Sequence, residues 1–159
     1  VCLVPRKRLV GRINLTVIVI ALVVTAIDAL SKVWARHVLA NHAVHVGGTI
    51  WLRLQYNSGI SFSFNQSRTV LTSIVTVIVA VVVVVVGVRA RPGLSATGFG
   101  LLIGGGVANI VDRLSATPQR VTDFIALGSF PVFNLADVAV TAGFITLLVA
   151  ALMGERLLS

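Results

Sequence analysis

Apolar residues fall into four long runs along this chain, from Ile13 to Val33, Val70 to Val88, Leu94 to Val111 and Ala136 to Met153. Each is close to the roughly 20 residues needed to cross a hydrocarbon core about 30 Å thick. The pattern predicts an all-α integral membrane protein with four transmembrane helices. Residues 34–69 and 112–135 are polar and mixed, and the alternation of Ile50, Leu52 and Leu54 beside Gly47 and Gly48 predicts strands. A small extracytoplasmic β-platform over about 34–69 follows from it. Residues 112–135 read as a polar loop with short apolar pieces, bearing Asp123 at the outer surface. In the third run Gly98, Gly100, Gly104, Gly105 and Gly106 predict a close approach of neighbouring helices, which small residues permit in lipid.

Composition agrees with this pattern. Of 159 residues 57% are hydrophobic and only 11% charged, against about 25% charged in a soluble domain. A water-soluble globule is excluded, and a single membrane domain over residues 1–159 is expected, because little chain is left over for a second core. The net charge of +8 suits nucleic acid or anionic lipid, and the apolar runs select lipid; no nucleic-acid partner is expected. The one cysteine, Cys2, cannot form an internal disulfide and has no apolar run before it, so no cleavable leader is expected.

Arg6, Lys7, Arg8 and Arg12 precede the first run, and Arg89, Arg91 and Arg156 fall on the same side if spans alternate. That places both termini in the cytoplasm, because dense basic flanks set orientation. Lys32, Arg36, Arg53, Arg68, Arg113 and Arg120 fall outside, so the dense N-terminal cluster carries the assignment.

Charged groups in spans cost at least about 2.5 kcal/mol at mid-bilayer, so the few present invite a functional reading. All four aspartates, Asp28, Asp112, Asp123 and Asp137, converge on one membrane face. Asn109 and Asp112 share a helix face with Arg113, and Asn134 and Asp137 repeat the three-residue spacing. One reading is that these are polar pairs fixing helix packing, with Asp137 as a helix cap. The other is hydrolysis: two close carboxylates cannot both ionise readily, so one serves as general base for water and the other as general acid.

The chain resembles the lipoprotein signal peptidases, the type II signal peptidases of bacteria, along nearly its full length. The resemblance is carried by Asp28, Ser31 and Lys32 in IDALSK, Asn57 and Gly59 in NSGISFSF, GGGVANIVDRL from Gly104, VTDFI from Val121, and FPVFNLADVAVTAG from Phe130. It implies an intramembrane aspartyl endopeptidase that cuts prolipoproteins before a diacylglyceryl-modified cysteine. Asp123 and Asp137 match the catalytic pair. Asn57, Asn109, Arg113 and Asn134 match residues that line and order the site, with Lys32, Gly59 and Ala136 in supporting positions. Asp28 matches a polar residue near the substrate's modified end, and Asp112 a structural support. No cofactor or metal is implied; membrane lipid and diacylglyceryl-modified prolipoproteins are the implied partners, and a monomer in the bacterial cell membrane, with the site at the extracytoplasmic face, is the expected form. The sequence departs from the family's usual pattern at Ala29, in SGISFS after Asn57 and at Thr122, and the connection from Asp123 to Asp137 is short.

Other chemistries fit less well. Ser31 and Lys32 are adjacent and point about 100° apart on a helix, which disfavours a nucleophilic pair, and Lys32 is expected to snorkel to outer headgroups. His37, His42 and His45 share no face and are expected in a loop. GLLIGGG lacks the Lys-Ser or Lys-Thr of a phosphate loop. A proton or cation path would distribute carboxylates through the membrane depth, and a scaffold would leave the two Asn-x-x-Asp pairs unexplained.

Overall fold

The computed structural model describes residues 13–57, 78–116 and 120–158. Helix α1 spans Leu15–Val38, strands β1 and β2 span Val44–Gly47 and Ile50–Asn57, and helix α2 is described over Ile78–Gly87. Helix α3 spans Leu94–Ser115, strand β3 Val121–Leu127 and helix α4 Leu135–Leu152. The chain is mostly helical, and α1, α3 and α4 are each long and apolar enough to cross a membrane. Of the predicted second span residues 78–88 are described, ten of them as α2, and 70–77 lie outside the described residues, as do 58–69 of the predicted platform.

Helix α1 starts where the Asn14 side chain accepts the Thr16 N–H at 2.9 Å, while Asn14 Nδ2 donates to Ala90 O at 3.0 Å and so ties this end to the turn after α2. The helix runs five residues past the predicted end at Val33. Its last turn keeps Ala35 fully buried against Leu39 and Phe124, and Arg36 and His37 there complement the C-terminal end of the helix dipole. Outward-facing Leu15, Leu22 and Leu30 on α1 and Phe144, Leu148 and Leu152 on α4 are exposed, as lipid-facing side chains are.

Helix α3 is the central helix, packed on α1 and α4. A Cβ on Gly104 would lie 2.8 Å from Ala21 O of α1, and one on Gly105 would lie 2.5 Å from Ala136 O of α4, so these glycines permit backbone contact with both neighbouring helices. Among the described residues a Cβ on Gly106 would meet nothing within 4 Å, so Gly106 takes no part in that contact with α1 and α4.

The three strands form an antiparallel sheet in the order β1-β2-β3. The predicted alternation on β2 is present: Leu52 and Leu54 turn toward the cluster of Ala35, Leu39 and Phe124. Two expectations are corrected. Residues 34–38 are helix rather than platform, and the third strand comes from the segment read as a polar loop. Val121, Thr122, Asp123 and Phe124 are consecutively buried, on both faces of β3. A strand covered on both sides shows no hydrophobic alternation, which is why periodicity does not reveal it.

Candidate active site

Asn134 caps α4. Its Oδ1 accepts the Asp137 N–H at 3.0 Å and its own N–H donates to Asp137 Oδ2 at 3.1 Å, a reciprocal capping box that makes the three-residue spacing a helix start. The remaining donor group, Nδ2, is spent on two further contacts, Asp123 Oδ1 at 2.6 Å and Asn109 Oδ1 at 3.1 Å. Asn134 is completely buried, and both ends of its amide are used.

Asn109, from α3, completes the link: its Nδ2 donates to Asp137 Oδ1 at 2.8 Å. Two successive elements, β3 and the start of α4, thus present their carboxylates to one amide pair. Asp123 is 1% exposed. Burial pushes its carboxyl up from 3.8 to about 6; hydrogen bonds from Asn134 and Asn57 and the Lys32 charge oppose that rise, and the Asp137 charge adds to it. Asp137 receives N–H donors on both oxygens and stands in the first turn of α4, an arrangement suited to a carboxylate.

Behind the pair lies an ion cluster. Asp28, Lys32 and Arg36 recur at four-residue intervals on α1. Lys32 Nζ is 2.7 Å from Asp28 Oδ2 and 3.5 Å from Asp112 Oδ2, and donates to Asn109 Oδ1 at 2.8 Å. The expectation that Lys32 snorkels to headgroups is corrected, since it is 1% exposed. Two carboxylates and an amide oxygen inside the bundle supply the partners that a buried ammonium requires. Arg36 Nη1 donates to Asp112 Oδ1 at 3.0 Å and Thr122 Oγ1 at 2.9 Å, while Asp112 Oδ2 accepts the Thr122 N–H at 2.7 Å. The strand that carries Asp123 is therefore tied to α1 and α3 at the preceding residue. Asp28 Oδ1 accepts the Ala136 N–H at 2.8 Å, which satisfies one of the free donors at the start of α4.

A groove of about 570 Å³ opens beside Asp137, walled by Asn57, Phe130, Phe133, Val138 and Ile145 among others. It brings an apolar surface directly to a carboxylate.

The family model described as "Signal peptidase (SPase) II" matches residues 20–153. The chain belongs to the signal peptidase II family. Membership makes it a peptidase, and its apolar helices make it a transmembrane protein. It is similar to the lipoprotein signal peptidase of Rhodococcus jostii, with 37% identity over 94% of this chain and 79% of the relative. The similarity to that of Mycobacterium leprae is 34% over 85% of this chain and 70% of the relative. Two solved structures described as bacterial membrane enzymes share the fold: one has a TM-score of 0.73 and 24% identity, covering 94% of this chain and 98% of its own, and the other 0.71 and 24%, covering 92% and 91%.

Of the residues read from sequence in this signal peptidase II chain, the structure gathers Asp28, Lys32, Asn109, Asp112, Asp123, Asn134, Ala136 and Asp137 into one bonded network. Asn57 ends β2 and bonds Asp123. Arg113 is beside the network, and its buried Nε has no hydrogen-bond partner among the described residues. Gly59 lies outside the described residues. Asp123 sits on a buried strand rather than a surface loop, because β2 and Phe133 both bond to its neighbours. Ser31 Oγ donates to Asp28 O at 2.7 Å and so turns away from a pairing with Lys32. His45 is not in a loop but on β1, its ring 4.4 Å from that of Trp51, and His37 belongs to the last turn of α1. Arg36 and Thr122 were not singled out as site residues; the four-residue ladder from Asp28 was the signal for Arg36.

Proposed function

We propose that this chain removes signal peptides from bacterial prolipoproteins, cutting before the diacylglyceryl-modified cysteine by means of water activated between Asp123 and Asp137. The observation that carries this reading is that both carboxylates are bonded to Asn134, one through its side chain and one through its backbone. Asp137 takes the proton of the attacking water while the new C–O bond forms at the scissile carbonyl. Asp123, the deeper group and the one whose proton burial holds to higher pH, gives that proton to the leaving amide nitrogen as the C–N bond breaks. Transfer of the proton taken up by Asp137 to the ionised Asp123 restores the starting state.

Asn109 and Asn134 hold the pair, and Asn57 and Arg113 border the place of the substrate. The apolar groove beside Asp137 suits a hydrophobic segment, and a diacylglyceryl chain reaches it sideways from the bilayer, since hydrocarbon is more stable there than in water. The full reading is a single four-span domain acting as a monomer, with both termini cytoplasmic and the carboxylate pair at the outer face.

The test is processing of a diacylglyceryl-modified prolipoprotein in liposomes, with Asp123→Asn and Asp137→Asn made singly. Each is expected to lose at least about 10³-fold in kcat with the fold retained, as when one member of a catalytic unit is removed. Cleavage by either variant at the wild-type rate, or cleavage abolished by a metal chelator, sinks the mechanism.

A further inference from the structure

The buried ammonium of Lys32 touches no reacting group in the mechanism above, yet it lies one hydrogen bond from a residue that does. Its Nζ donates a hydrogen bond to Asn109 Oδ1 and pairs by charge with Asp28 Oδ2 at 2.7 Å and Asp112 Oδ2 at 3.5 Å. A lysine ammonium can only donate, so the Asn109 atom facing it is held as the oxygen. Asn134 Nδ2 faces the same oxygen at 3.1 Å, but Lys32 is closer, at 2.8 Å, and charged. The other end of that carboxamide, Nδ2, is consequently presented to Asp137 Oδ1. A reversed amide would set NH₂ against two donors and oxygen against a carboxylate.

We propose that Lys32 is a positioning residue for the carboxylate pair, its ammonium orienting the Asn109 carboxamide so that Nδ2 donates to Asp137. Its charge on the amide oxygen also polarises the group and strengthens that donor. Asp28 belongs to the same device from the other side: it neutralises Lys32 and takes the Ala136 N–H, fixing the turn from which Asp137 projects. The inference rests on the peptidase reading for its kinetic consequence, and on the hydrogen bonds alone for its structural one.

The experiment compares wild type with Lys32→Met, Asp28→Asn/Lys32→Met, Asn109→Ala and Lys32→Met/Asn109→Ala in liposomes, with a diacylglyceryl-modified prolipoprotein peptide as probe. Lys32→Met is expected to lower kcat roughly 10- to 100-fold with KM held within about twofold, the signature of misplaced rather than missing machinery. The double variant Asp28→Asn/Lys32→Met removes both buried charges and keeps an acceptor for Ala136. It is expected to melt with wild type while showing the same kcat loss. In the Asn109→Ala background, Lys32→Met is expected to cost nothing more. Wild-type kcat in the double variant, losses that multiply in the Asn109→Ala background, or failure of the double variant to fold each overturns the proposal, the last by showing that the charge holds the bundle rather than the amide.

Selective ¹⁵N-asparagine labelling reads the same device without turnover. The Asn109 side-chain amide is expected to exchange slowly in wild type and to shift and exchange faster in the double variant; an unchanged Asn109 signal overturns the inference. If wild type fails to cleave the probe, the peptidase reading falls and the amide signal still decides the role of Lys32.

Discussion

Asn134 Nδ2 stands 2.6 Å from Asp123 Oδ1, joining the cap of a membrane helix to a strand eleven residues earlier in the chain. One side chain thus starts α4, fixes Asp137 and holds Asp123, so stability and chemistry share the residue. Asn134→Ala is expected to lose about 1 kcal/mol from the cap and roughly 10²-fold in kcat from the lost donor. A thermal melt beside a cleavage assay separates the two. An unaffected kcat with a lowered melting temperature would reduce Asn134 to a cap.

The raised carboxyl of Asp123 sets an expected pH limb. A general acid with a pKa of about 6 is lost as pH rises through that value, so kcat/KM should fall on the alkaline side from near pH 6. The hydrogen bond from Asn57 opposes the rise, and its removal lets the proton stay on longer. Asn57→Ala is therefore expected to move the limb to higher pH, and a move to lower pH contradicts the assignment of Asp123 as the acid.

Stability carries the same signature with its own sign. Below about pH 4 the carboxyl is protonated in both folded and unfolded chains, and between about 4 and 6 only the unfolded chain ionises freely, so wild type loses stability as pH rises. Above about pH 6 the loss is constant, up to about 3 kcal/mol for a shift of this size. Asp123→Asn, which keeps an acceptor for Asn134, lacks this term. Its advantage in melting temperature should open between about pH 4 and 6 and then level off; a gap that does not vary with pH would show that Asp123 is not the raised group.

The glycines of α3 offer a packing test. A Cβ on Gly105 would stand 2.5 Å from Ala136 O, a backbone atom next to the cap, so Gly105→Ala forces α3 and α4 apart and should lower both stability and activity. Gly106→Ala meets nothing within 4 Å among the described residues and gains helix propensity. Equal effects of the two substitutions in a melt would contradict the close α3–α4 contact.

Much of this protein was legible before any coordinates. Three of the four long apolar runs became α1, α3 and α4, and Ile50, Leu52 and Leu54 became a strand, because hydrophobic periodicity reports which side a residue must bury. The polar residues stood out because few ionisable groups survive in an apolar chain without a partner. The motif carrying Asn134 and Asp137 was visible as a three-residue spacing, since capping is local chemistry. Strand β3 was not legible: buried on both faces, it reads like a loop with apolar pieces.

Sequence alone determined the membrane class, the helix starts and the set of polar residues available for chemistry, all of which depend on composition and on neighbours a few positions apart. The tertiary structure decided that Lys32 is buried rather than at the headgroups, that Arg36 and Asp112 brace the strand of Asp123, and that one asparagine serves both carboxylates. Those outcomes depend on partners up to 86 positions away, as between Arg36 and Thr122, and a long-range hydrogen bond leaves no periodicity in the chain that forms it.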